Sequence, residues 1–314
     1  MSQVQTSDAT VSVDRKISLL RRFVWSLRRE LWEHRSVYLA PMAVTLLILV
    51  GAVVTGWYAA DVLKNTSGKS HAAVHAAIQL PYGITALLLL ITMIVVGVHY
   101  CTEALHAERR DRSILFWKSL PVSDAVTVAS KVAVVLIALP FVTWCAVFVV
   151  HCALLASSAA VVSAKGQDIG ALWLHQPLGH YAVAVGVVGL GASFWFLPVY
   201  AWLIFVSSWV KRGVLLWAIV PVLGIIAIER IVSKSTVFAD IIFARLFRPQ
   251  HSNTTKALAD QAANQTSLTL VDKPRYSVNF DGSWLSSPDL WVGIAIAIVF
   301  LIAAIRMRRL RDPI

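Results

Sequence analysis

The run Leu80-Pro-Tyr-Gly-Ile-Thr-Ala-Leu-Leu-Leu-Leu-Ile-Thr-Met-Ile-Val-Val-Gly-Val-His-Tyr100 contains no Asp, Glu, Lys or Arg. A helix crosses the hydrocarbon core of a bilayer with roughly 20 mainly apolar residues, so this stretch reads as a membrane span. Five others qualify, from about Val37 to Ala60, Thr127 to Ala156, Tyr181 to Trp209, Val214 to Ile228 and Leu290 to Ile305. The third and fourth in chain order are long enough to tilt or project, and the fifth is short and soon meets Glu229 and Arg230. The composition agrees. Of 314 residues, 58% are hydrophobic and 14% charged, whereas soluble domains hold about 45–50% and about 25%. Too little polar surface remains to coat a soluble globule, and disordered, collagen-like and disulfide-scaffold classes are excluded as well. Cys101, Cys145 and Cys152 lie in or beside apolar runs, with no metal or disulfide spacing, and read as small core residues. The expected fold class is an all-α integral membrane protein of six transmembrane helices.

The net charge of +11 is placed as in a multi-pass protein and does not point to nucleic acid. Basic residues gather before span one (Arg15, Lys16, Arg21, Arg22, Arg28, Arg29, Arg35) and between spans two and three (Arg109, Arg110, Arg112, Lys118, with Lys131 just inside span three). They recur between four and five (Lys211, Arg212) and after six (Arg306, Arg308, Arg309, Arg311), making 18 of the 28 Lys and Arg. The two short opposite loops hold only Lys64, Lys69 and Lys165. Short cytoplasmic loops are enriched in Lys and Arg, so both termini are expected in the cytoplasm, which requires an even number of spans. No cleavable signal is visible ahead of span one, which would itself direct insertion.

Three regions flank or interrupt the spans. Residues 1–36 form a cytoplasmic N-terminus in which Ile17, Leu20, Val24, Leu27 and Leu31 recur at three- and four-residue steps against Arg21, Arg22, Arg28, Arg29 and Glu33. This pattern predicts an amphipathic helix in the headgroup layer, anchored by Trp25 and Trp32, with membrane lipids as its partner. It reads equally as a plain juxtamembrane helix or as an elbow leading into span one. The transmembrane domain covers 37–306, and a basic tail follows at 307–314. Within the domain, the outer segment 231–288 holds an apolar stretch, Thr236 to Phe247, too short to span and read as a re-entrant or outer-leaflet helix. A polar, loop-like stretch follows it. Pro140, Pro198 and Pro221 should bend spans three, four and five, as hinges or as packing kinks.

The loop 101–125 carries the strongest motif. The alternating charges Glu108, Arg109, Arg110, Asp111 and Arg112 lead into Ser113 and the apolar run Ile114, Leu115, Phe116 and Trp117. Lys118, Ser119 and Leu120 follow, Pro121 ends the run, and Ser123 or Asp124 can cap span three. A water-facing loop has no use of its own for four adjacent large apolar side chains. Such a cluster rimmed by Arg and Lys suits a partner's groove. The alternative is burial among lipid headgroups, where Trp and Arg also belong.

The run Glu108 to Asp124, between the second and third of six spans, resembles the membrane subunit of bacterial ABC-2 type transporters. The likeness extends to the overall layout of an elbow helix, six spans, a coupling helix and an outer re-entrant element. The resemblance implies a permease subunit of an ATP-driven exporter in the bacterial cytoplasmic (inner) membrane. Its partners would be a second permease subunit and a separate ABC ATPase, which would bind ATP and Mg, leaving this chain without catalytic residues or a cofactor. Glu108 to Arg112 would supply polar contacts, and Ile114 to Leu120 the cytoplasmic coupling helix. The long polar insert of the outer segment departs from compact family versions.

Other motifs carry less. Gly68-Lys69-Ser70 lacks the glycine that a phosphate-binding loop needs at position 63, where Leu63 stands. His71 and His75 lack the adjacent Glu of a metalloprotease helix. Asn65, Asn253 and Asn264 each begin a glycosylation-type triplet, which carries no reading in the bacterial setting that the resemblance implies. The span interiors hold almost no ionisable residues beyond His99 and His151, which argues against an ion-coupled transporter. It favours a hydrophobic or amphipathic substrate. Two other classes stay open, namely a non-transporting scaffold or sensor whose basic loops hold anionic lipid and a lipid-modifying enzyme, for which no nucleophile or metal set is visible.

Overall fold

A computed structural model of the chain describes residues 18–65, 71–111, 113, 123–170, 178–247 and 283–310. Every regular element among them is helical. Ser18 caps α1 (Leu19–Glu33) by accepting from the Arg21 amide, and α2 (Ser36–Val50) follows after a 52° bend. α3 (Ala52–Lys64) continues from α2 across Gly51, so the predicted first span is divided between these two helices. Then come α4 (His71–Glu103) and the short α5 (His106–Arg110). α6 (Asp124–Ala133) passes through a π turn (Val134–Ala138) into α7 (Leu139–Ala164). α8 (Leu178–Trp209), α9 (Val214–Val232), α10 (Val237–Phe247) and α11 (Pro288–Leu310) complete the set, with a 3-10 turn at Ser283–Ser286.

Five helical stretches are long and apolar enough to cross a membrane, or six if the bent pair α1 and α2 forms one span. The second to sixth predicted spans coincide with these five stretches. Their polar ends extend further than hydropathy suggested. The third predicted span starts as a helix at Asp124, with Ser123 accepting from the Val126 amide at 3.4 Å, so Lys131 lies two turns inside it. The π turn stands immediately before Pro140, which has no N–H for the carbonyl one turn back, and a widened turn absorbs that loss. Proline interrupts neither α8 at Pro198 nor α9 at Pro221.

The main core joins α4, α6, the start of α7, α8 and α11 around Met93, Tyr100, Val128, Leu139, Tyr200 and Leu290. A second cluster interlocks α3 and α7. By contrast α9 buries only Val214 and Ala218 of its own residues. Both described ends of the chain lie at one end of the bundle, where α1 and the last turn of α11 meet the start of α6. That is the end carrying most of the basic residues; it is called the basic end below.

At the opposite end, α10 buries none of its residues and is fastened at its two ends. The Glu229 carboxylate, leaving α9, accepts from the Phe238 amide at 3.1 Å and from the Ser235 hydroxyl at 2.8 Å, satisfying the first turn of α10. At the other end Arg245 stacks 4.2 Å over the Trp195 ring and donates to the Asp289 carbonyl at 2.9 Å, while Trp195 donates to the Arg245 carbonyl. Its guanidinium occupies a notch on α11, where a Cβ on Gly293 would lie 1.9 Å from Nη2. A hydrogen bond to a charged group contributes about 1.5–3 kcal/mol. Arg245→Gln should therefore raise amide hydrogen exchange across residues 237–247 by roughly ten- to a hundredfold. Unchanged exchange would show that α10 is held by other means.

Candidate functional site: a buried ion-pair network

Hydropathy alone would leave Lys131 as a charge in an apolar helix. Its Nζ is enclosed, with no exposed side-chain surface, and lies 3.0 Å from both carboxylate oxygens of Glu30 and from Glu108 Oε1. Glu30 comes from α1, where it and Ser26 form the face turned into the bundle. Tyr100, at the end of α4, donates its phenolic hydroxyl to Glu30 Oε2 at 3.0 Å. Glu108 sits on α5, at the root of the loop between α5 and α6. Its second oxygen accepts from Arg308 Nη2 at 3.1 Å and its first from Arg29 Nη2 at 3.1 Å. Arg308, from the last turn of α11, also pairs with Asp124, the first residue of α6.

Four carboxylates (Glu30, Glu33, Glu108, Asp124) thus meet four cations (Lys131, Arg29, Arg308, Arg309), and the cluster is electrically balanced. Balance is what permits burial, because each ion alone would carry a desolvation penalty of several kcal/mol. Burial by itself would push the Glu30 carboxyl up. The Lys131 ammonium and the Arg29 guanidinium outweigh that and hold it below the usual carboxylate range. Glu30, Glu33 and His34 also bring three possible metal-ligand atoms within 4.8 Å of one another. Lys131 already sits on both oxygens of Glu30, so a metal ion there would face an adjacent positive charge.

Next to this cluster, Arg109 donates from Nη1 to the Ser208 carbonyl at 2.8 Å and the Val210 carbonyl at 3.3 Å. These are terminal carbonyls of α8, where a cation is favoured. His106 Nδ1 lies 3.3 Å from the same Val210 oxygen. The root of the loop is therefore tied to α1, α6, α8 and α11 at once.

The sequence-predicted residues divide in an orderly way. Glu108 and Arg109, grouped by sequence with the polar contacts of the loop, are turned into the chain and buried, whereas Arg110 and Asp111 are exposed. Arg112, Ile114, Leu115, Phe116, Trp117, Lys118, Leu120 and Pro121 lie outside the described residues. On α1, Arg21, Trp25, Arg28 and Trp32 are exposed and Arg22 is half-buried. Arg29, assigned by sequence to the same outer face, points inward to Glu30 and Glu108. Sequence reasoning did not find Glu30, Tyr100, Asp124 or Arg308 as members of the network around Lys131. A lone lysine inside a span was the available signal, because such a charge requires a partner.

The chain matches no protein-family model, no curated protein and no solved structure.

Proposed function

We propose that this chain is the permease subunit of an ATP-driven exporter of the ABC-2 type, acting as one of a pair with separate ATPase subunits. In this reading the segment 114–120 is the coupling helix, α1 the elbow helix, and α10 the outer re-entrant element. The basic end faces the cytoplasm, in accord with its Lys and Arg content. The observation that carries the proposal is the anchoring of the loop root through Glu108 and Arg109. A force on the loop would pass directly to the elbow helix α1 and to the third, fourth and last membrane segments through short ionic contacts and a hydrogen bond. A loop that merely rested among headgroups would need no such anchorage. The span surfaces offer Thr, Trp and Phe and few charges, which suits a hydrophobic or amphipathic cargo.

The test uses Phe116→Asp with Trp117→Asp in the full chain. Buried aromatic anchors contribute about 2 kcal/mol or more each. Co-purification with an ATPase subunit carrying a complete phosphate-binding loop should fall by on the order of a thousandfold in affinity, while insertion and yield stay normal. Undiminished ATPase binding together with undiminished transport would overturn the assignment.

A further inference from the structure

Both acids of α1, Glu30 and Glu33, are answered by cations, whereas the arginines of its outward face are answered by no acid among the described residues. Arg21 and Arg28 lie two turns apart on the exposed side of α1, about 10.5 Å along the axis. Arg35 is exposed at the bend into α2. None of the three forms an ion pair with any described residue, whereas Arg29 between them is paired to Glu30, Glu33 and Glu108. Exposed apolar side chains border this cationic row on both flanks. Leu20 and Val24 lie on one side, and Trp25 and Trp32, 68% and 66% exposed, on the other. Arg28 sits 5.9 Å over the Trp32 ring.

Cations with no acid to answer them, set in an exposed apolar surface that continues into a membrane-embedded helix, match a leaflet of anionic phospholipid. Phosphates would meet the guanidinium forks. The flanking Leu, Val and Trp would enter the acyl boundary, where amphipathic rings belong. An acidic protein surface would answer the charge but would leave the apolar flanks in water.

We infer that the outer face of α1 is a binding site for anionic phospholipid, with Arg21, Arg28 and Arg35 as its phosphate contacts. Because α1 carries Glu30 and Arg29 on its other side, lipid charge would set the depth at which the ion-pair network is held. The inference requires only that the chain spans a membrane, and does not depend on the transporter reading.

Delipidated full-length protein in neutral detergent, without an ATPase, is titrated with phosphatidylglycerol and with phosphatidylcholine, and bound lipid is counted by native mass spectrometry. Three arginines at an anionic surface amount to roughly a hundredfold preference for phosphatidylglycerol, weakened by added salt. The preference should vanish in the R21Q/R28Q/R35Q protein and persist in R21K/R28K/R35K. Circular dichroism and thermal midpoint serve as folding controls, since none of the three side chains is paired inward. If the glutamine variant keeps the preference, the inference fails. If it keeps the preference but, in a separate co-purification, loses an ATPase that the unaltered chain retains, the row is a protein-docking face. Loss of lipid preference with ATPase binding retained separates this site from the coupling loop.

Discussion

Replacing Lys131 with methionine should destabilise the protein by about 3–5 kcal/mol, the usual cost of removing one partner from a buried ion pair. The ammonium contacts both Glu30 oxygens and Glu108, so its loss leaves one net negative charge enclosed. Methionine has nearly the same length and shape, which keeps packing loss small. The readout is the thermal midpoint of the detergent-solubilised chain together with membrane yield. Glu30→Gln in the same background restores balance, leaving Glu33, Glu108 and Asp124 against Arg29, Arg308 and Arg309, and should recover at least half of the loss. A non-additivity of this kind is diagnostic of direct contact. Should the single variant unfold at the wild-type temperature, the network has no structural weight and the case for transmission through it falls.

Acid titration probes the same cluster. The Glu30 carboxyl is held below its ordinary value in the folded chain, so its stabilising contribution is complete above the ordinary carboxylate range. That contribution should fade as pH falls through the depressed value. Glu30→Gln with Lys131→Met should lose this part of the fade and keep the part owed to Glu108, whose carboxyl is also held low.

Reading the sequence located the spans because a bilayer imposes a length and a composition that few other structures satisfy. Val37–Ala60 was less well served. Nothing in its hydropathy marks the division at Gly51, where the chain stays helical in sense but loses its continuous hydrogen-bond ladder. The charge network was illegible for a different reason. Glu30 and Lys131 are 101 residues apart and Glu108 and Arg308 are 200 apart, and no local periodicity encodes which distant helix ends meet. On α1 itself the arginine-rich pattern concealed two populations. The exposed Arg21 and Arg28 differ from the paired Arg29 only in angle around the helix, and one step of 100° separates the exposed face from the ion-pair network.

Gly56→Leu should separate α3 from α7, at a cost of about 1–3 kcal/mol for overpacking alone. A Cβ at residue 56 would stand 2.8 Å from the Ser157 carbonyl oxygen and 2.9 Å from Val161 Cγ2. The obstacle is backbone, so the two helices must move apart as units. The Gly293 notch meets a shorter approach, but its occupant is the far end of the Arg245 side chain, which can rotate away. Close approach matters more in lipid than in water, because hydrocarbon gives no hydrophobic drive for helices to associate and contact must come from small residues. Ala52, Ala59 and Ala60 line the same face of α3, and Ser157 Oγ donates to the Ala52 carbonyl at 2.9 Å across the contact. Hydrogen exchange should rise across 52–64 and 155–164 and stay unchanged across 19–33, whose attachment to α6 runs through Glu30 and Lys131. Gly56→Ala should give the same pattern at smaller amplitude. Exchange that rises equally in all three segments would mean that α3 and α7 are not an independent unit.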